Sequence, residues 1–183
     1  MKPRIRSRTP GDKQSKRKIP KTRQPRSKAA RTSPQFDWSW IAKGENHRHF
    51  ELMAGDIISY ELDSNLFTPN AMKSGPDGGA DGVYQGAISG ISGPWKIASA
   101  SRSKLAALKK KIEDENRGAK RNGYRGLLFI TSFDLDPTQV KKLSLVAGKS
   151  LKKGIIWPRG KLDQLLRKHP WIAAQHLGHP LIP

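Results

Sequence analysis

The chain has 183 residues, and its 35 Lys and Arg against 15 Asp and Glu give a formal net charge of +20. Such an excess favours a polyanionic partner, of which nucleic acid is the commonest. The lack of cysteine excludes disulfides, thiolate zinc sites and a cysteine nucleophile. No apolar run is long enough to span a bilayer, and the N-terminus lacks the apolar stretch of a secretory signal. We therefore predict a cytoplasmic protein that acts without a membrane.

Residues 1–33 differ sharply in composition from the rest of the chain. They hold 13 Lys and Arg against a single acid, Asp12, and they contain no aromatic residue. A segment this charged cannot bury enough apolar surface to offset its chain entropy, so we predict a disordered basic arm. The arm adds non-specific affinity for phosphates or, alternatively, serves solubility or targeting. Without the arm's +12, residues 34–183 still carry +8 and form the second predicted domain.

The first half of that domain alternates between helical and extended patterns. Phe50, Met53 and Ile57 repeat with a helical period and predict a first helix over 45–62. Three short strands follow, in NLFTPNAM, GVYQGAI and PWKIASAS, with a glycine-rich turn between the first two. A second helix is predicted to begin with Ser103 as its cap and to end near Gly118.

The second half continues the alternation. The run GLLFITSF is typical of a buried strand. Asp136 as N-cap and Pro137 at the first helical position predict a third helix, which Gly148 ends. A short strand in KGIIWP and short helices in GKLDQLLRKHP and WIAAQHLG complete the chain. The resulting order, α-β-β-β-α-β-α-β-α-α, predicts an α/β sandwich around a central mixed sheet.

Three familiar types of site lack the sequence patterns that they require. The run AGKS ends like a phosphate-binding loop, but the glycine needed five positions before its Gly-Lys pair is Leu143. We expect a helix end followed by a basic loop there. The histidines show no metal-binding spacing backed by carboxylates, because His47 and His49 lie two residues apart and point to different faces of a helix. No nucleophile-elbow pattern supports Ser-His-Asp catalysis.

Three acids have the placement that phosphodiester hydrolysis needs. That reaction uses a divalent cation to activate water and to hold the phosphate, and Mg²⁺ prefers oxygen ligands from one or two carboxylates. An acid at the start of one strand can act with two alternate residues of the neighbouring strand, since alternate residues share a face. Asp77 and Asp81 in the turn DGGADG, together with Glu51 on the first helix, are the acids in question.

With these motifs the chain resembles the PD-(D/E)xK nuclease superfamily, in its Mrr-type restriction-endonuclease-like branch. The resemblance runs from HFELMAGDI through DGGADG and GLLFITSF to GIIWPRGKLDQLLRKHP and the closing helix. It implies a restriction-endonuclease-like α/β/α sandwich and a Mg²⁺- or Mn²⁺-dependent endonuclease that cuts double-stranded DNA, of the restriction or anti-phage type. It also implies that Asp81, Glu51 and Asp77 serve as catalytic residues and metal ligands.

The third strand departs from the family pattern. The family's acid or glutamine and its lysine, two residues apart, correspond here to Ala98 and Ala100. Strand alternation places positions 96, 98 and 100 on one face, so the alanines stand where metal and phosphate would be bound. We interpret them as the loss of catalytic groups, in an engineered inactive variant or in a naturally degenerate, binding-only relative. Alternatively, Lys96 or Lys104 has taken over the role of the lysine.

Basic residues around the third strand are candidates for contacts with the nucleic-acid backbone. They are Lys96, Arg102, Lys104, Lys109, Lys110 and Lys111, of which the last three have a solvated helix face as their alternative. The resemblance implies a homodimer or a component of a larger defence complex. Two other functions stay open, a non-catalytic nucleic-acid-binding module and a basic assembly protein that prefers RNA and is insensitive to a change at Asp81.

Overall fold

A five-stranded mixed sheet organises the protein in its computed structural model, which describes residues 36–39, 41, 46–69, 81–101 and 104–178. Within these ranges the predicted order of helices and strands is confirmed, with one short 3-10 turn added. The elements are α1 (His47–Glu61), the turn Ser64–Leu66, β1 (Phe67–Pro69), β2 (Gly82–Tyr84), β3 (Trp95–Ala100), α2 (Leu105–Arg121), β4 (Gly126–Thr131), α3 (Pro137–Gly148), β5 (Lys153–Trp157), α4 (Arg159–Lys168) and α5 (Pro170–Leu177). The predicted arm, residues 1–33, lies outside the described residues.

The strands lie side by side in their order along the chain, from β1 to β5. The pairs β1–β2 and β2–β3 are antiparallel, whereas β3–β4 and β4–β5 are parallel. A parallel pair needs a crossover connection, and α2 and α3 provide the two that this sheet requires. The prediction of an α/β protein with a mixed sheet is therefore confirmed.

The strand period of two divides the apolar residues between two cores, one on each face of the sheet. Trp95 and Ile97 of β3 join a cluster with α1, α4 and α5. Ala98 and Ala100 of the same strand join a second cluster with α2 and α3. The helices of the described ranges include none that is long and apolar enough to cross a membrane.

The third helix begins as predicted. The Asp136 carboxylate accepts a hydrogen bond from the Gln139 backbone N–H at 2.8 Å, and the Gln139 side chain accepts one from the Asp136 N–H at 3.0 Å. Pro137 occupies the first turn, where the missing N–H has no partner to lose. These three residues mark the helix start in the sequence and hold it in the structure.

The predicted limits of α2 are wrong at both ends. Its N-cap is Lys104, which makes no side-chain cap, and the helix continues through Gly118 to Arg121. Gly118 has a packing role instead, because a Cβ placed on it would lie 3.3 Å from the Lys96 Nζ. The chain leaves the helix at Gly123, whose positive φ of 72° suits glycine.

Candidate functional site

Asp81 lies directly before β2 and against the middle of β3. Its backbone N–H donates to the Ile97 carbonyl at 2.9 Å. Its carboxylate Oδ2 accepts a hydrogen bond from the Ser99 hydroxyl at 2.5 Å and another from the Ser99 backbone N–H. Ser99 of the neighbouring strand therefore holds the Asp81 carboxylate with both its hydroxyl and its backbone N–H.

The surroundings of Asp81 favour its protonated form. The pKa of the carboxyl is raised to about 6, chiefly by burial and also by the negative charges of Glu51 and Glu115, against the lowering effect of the Ser99 hydrogen bonds. Glu51 is half-buried on α1, and its negative charge is one of the causes that raise the pKa of Asp81. An acid with a pKa near neutrality can exchange a proton or bind a cation that displaces it.

Asp81 and Glu51 could hold a divalent ion, because Mg²⁺ needs only one or two carboxylates when water and phosphate complete its shell. The pKa of Asp81 is raised mainly by burial and further by two neighbouring acids, and a bound cation would offset the second of these penalties. The third predicted ligand, Asp77, lies outside the described residues. In the part of the chain that is described, no three His, Asp or Glu side chains form a cluster suited to a metal.

The predicted shared face of positions 96, 98 and 100 is present, but it does not form an open site. Ala98 and Ala100 are each 1 % exposed and belong to the apolar cluster with α2 and α3. Ser99, which lies between them on the opposite face, makes the contact with Asp81. The two positions that the resemblance assigns to catalytic groups are therefore sealed within a core.

Lys96 is buried, and its charge is matched by an acid of α2. Its Nζ lies 2.6 Å from the Glu115 carboxylate, and both side chains are almost fully buried. The half-exposed Lys111 reaches the same carboxylate from one turn earlier, at 2.5 Å. Lys96 thus links β3 to α2 in the interior of the protein. A lysine that contacts a phosphate would instead have to be exposed to solvent.

The other predicted nucleic-acid contacts are exposed but partly neutralised. Lys104 and Lys110 lie at the surface at and near the start of α2. Lys109 is also exposed and lies 3.8 Å from the Glu113 carboxylate, one turn away. Arg102 lies outside the described residues. Acidic side chains of α2 therefore neutralise part of the positive charge that its lysines were predicted to offer to nucleic acid.

A hydrogen-bonded chain of one acid and two histidines links α1 and α5, and the sequence reasoning missed it. The His176 Nε2 lies 2.6 Å from the Asp56 carboxylate, and its Nδ1 lies 3.1 Å from the His49 Nε2. Burial and the neighbouring His176 lower the pKa of His49. His49 and Asp56 lie seven residues apart on one helix face, which is a usable signal, but His176 lies 120 residues from Asp56.

A scan against models of known protein families returns no match, and a search of the curated proteins returns none. The assignment of a function therefore depends on the residues and geometry of the chain itself.

Proposed function

We propose that this chain is a DNA-binding domain with a restriction-endonuclease-like scaffold, in which the Mg²⁺- or Mn²⁺-dependent hydrolytic centre is incomplete. The observation that carries the proposal is Asp81. It stands at the start of β2, is buried against β3 and is influenced by the charge of Glu51 on the preceding helix. The resemblance implies an acid at a strand start and another on the preceding helix, and the positions of Asp81 and Glu51 support the proposal in this respect. The charge of +20 supports DNA as the partner.

In this proposal the chain's own residues bind and orient but do not complete hydrolysis. Ser99 fixes the Asp81 carboxylate through two hydrogen bonds to Oδ2. Glu51 would provide a second carboxylate from α1. A divalent ion held by them would supply the activation of water. Ala98 and Ala100 offer no group that could act as a further ligand, contact a phosphate or move a proton.

A second candidate function is an endonuclease whose catalytic groups have been removed. The retained acid pair favours it, because Asp81 keeps a raised pKa of about 6 that its structural hydrogen bonds alone would lower. The position of Ala98 and Ala100 favours the binding-only domain, because both lie in the apolar cluster with α2 and α3, on the face of β3 opposite to Ser99 and Asp81. The two candidates differ in what restoration of those side chains should do.

The test is restoration of both groups in the full chain, as Ala98→Glu with Ala100→Lys on the α2 face of β3, and as Ser99→Glu with Ser101→Lys on the face that bears Asp81. The parent and both variants are assayed for nicking of supercoiled plasmid in Mg²⁺ and in Mn²⁺, with EDTA as the blank. Circular dichroism establishes that each variant is folded, and fluorescence anisotropy measures its binding to duplex DNA. The matched control carries Asp81→Asn in addition.

We expect the parent and the folded variants to bind DNA in a salt-sensitive manner without cutting it. Cleavage by a restored variant that is lost in EDTA and with Asp81→Asn would identify the second candidate as correct. If the parent binds no duplex DNA at low salt, both candidates fail. Preference for RNA with no response to Asp81→Asn would favour the assembly protein.

A further inference from the structure

A cleft of about 450 Å³ lies between the end of α3 and the start of β5, on elements that the Asp81 site does not use. We call it the lysine groove. Its basic lining residues are Lys141 of α3, Lys149 and Lys152 of the connection, and Lys153 at the first position of β5. All four side chains are exposed.

The sequence explains why these lysines converge. Lys141 and Gly148 lie seven residues apart on α3, with Ser144 and Leu145 between them at helical spacing, so one helix face lines the groove. The connection is held by its own backbone, because the N–H of Leu151 donates to the Gly148 carbonyl at 3.1 Å. The N–H of Lys152 donates to the Arg125 carbonyl at 2.9 Å. The lysines are therefore mounted on a hydrogen-bonded framework.

Two glycines bring the walls of the groove together. A Cβ on Gly148 would lie 2.8 Å from the Gly154 backbone N, and one on Gly154 would lie 2.3 Å from the Gly148 N. Only residues without a side chain allow the helix end to lie this close to β5. The run AGKS, excluded as a phosphate-binding loop by its spacing, thus contributes Gly148 and Lys149 to a basic cleft of another kind.

The groove lysines lie in a stretch of sequence without acids. The chain contains no Asp or Glu between Asp136 and Asp163. The ion pairs found among the described residues involve none of the four lysines. The end of α3 adds a partial negative charge of its own, so any affinity for anions must come from the lysine side chains.

We propose that the lysine groove binds the phosphate backbone of duplex DNA, at a surface separate from Asp81. This inference rests on the proposed function and names the residues that hold the partner. Four flexible ammonium groups around a cleft can each contact a phosphate without reading bases.

The experiment compares two variants of the full chain that have lost the same charge. The groove variant carries Lys→Gln at positions 141, 149, 152 and 153. The control variant carries Gln at Arg48, Lys120, Arg121 and Arg167, which are exposed and scattered over α1, α2 and α4. The affinity of each for a fluorescent DNA duplex is measured by anisotropy across a salt series.

We expect the groove variant to bind at least about tenfold more weakly and to lose about 3 from the slope of log K against log salt, whereas the control loses less than about 1. Equal losses in both variants would overturn the groove while leaving DNA binding intact. Absence of DNA binding by the parent would overturn the proposed function as well. Binding of phosphatidylserine vesicles that the groove variant loses, with unchanged DNA binding, would also overturn the inference.

Discussion

The two faces of β3 differ in the electrostatic environment of the charged group that each one contacts. On the α2 side, Lys96 is neutralised by Glu115, and Ala98 and Ala100 fill space in an apolar core. On the other face, Ser99 holds a carboxyl whose pKa is raised to about 6. One face satisfies its charge internally, and the other retains an acid in an unfavourable state. A strained electrostatic state of this kind is typical of functional sites, whereas a matched pair serves packing.

The largest effect should come from removing the acid that matches Lys96. Glu115→Ala leaves a buried ammonium without its partner, and we expect the free energy of unfolding to fall by about 3–5 kcal/mol. Urea unfolding followed by circular dichroism measures it. A loss below about 1 kcal/mol would show that Lys96 escapes to solvent and that the α2 face is open after all.

The second largest effect should come from Asp81, whose contribution to the free energy of unfolding depends on pH. Because the pKa of its carboxyl is raised from 3.8 to about 6 in the folded protein, the folded state binds the proton more tightly than the unfolded state. The stability contribution of Asp81 is therefore highest below pH 3.8, falls between about 4 and 6, and stays low above 6. The fall amounts to roughly 2–3 kcal/mol.

Asp81→Asn should abolish this fall, because the amide keeps an acceptor for Ser99 and carries no charge. We expect the variant to be more stable than the parent at pH 7 and similar to it near pH 4, in urea unfolding without divalent ions. The exposed Asp114→Asn is the control. A variant that is less stable than the parent at pH 7 would mean that Asp81 has a purely structural role.

A third comparison asks whether Ala98 marks a space left by a lost side chain. Ala98→Leu should overpack the α2 core and lower the free energy of unfolding by about 1–3 kcal/mol. Ala106→Leu, at an exposed position of α2, should change it by less than about 0.5 kcal/mol. Equal tolerance at both positions would contradict the sealed core and favour an emptied catalytic site. Thermal unfolding of both variants is sufficient to decide.

The smallest effect should come from breaking the exposed ion pair between Lys109 and Glu113 on α2. Glu113→Ala removes the partner of Lys109, and we expect a loss of only about 0.3–0.5 kcal/mol. Addition of salt should erase most of it. A salt-insensitive loss of several kcal/mol, in the same urea assay, would remove the distinction between the surface pair and the buried pair of Lys96.

The elements could be predicted because their signals are local. The apolar run of β4 and the pair Asp136–Pro137 identify a strand and a helix start from a few adjacent residues. The position of Asp81 could be anticipated for the same reason, since it directly precedes a strand. The role of Lys96 could not be predicted, because nothing in the sequence of β3 indicates that Glu115 of α2 will lie next to this lysine.

Contacts between residues far apart in the sequence could not be predicted from any local sequence pattern. The link between Asp56 and His176 exists only when the last helix packs on the first. Ser99 illustrates a different difficulty. The resemblance directs attention to its two neighbours, whereas the strand pairing selects the residue between them.

The order of strands in the sheet has a consequence for how the chain folds. The segment β3–α2–β4–α3–β5 pairs each strand with the next along the chain, so it can form through short loop closures. The helix that carries Glu51 packs on β3 and is also linked to α5, at the far end of the described chain, through Asp56 and His176. We expect hydrogen exchange to show the three parallel strands protected first during refolding. The link between α1 and α5 would then form last, when the final helix docks.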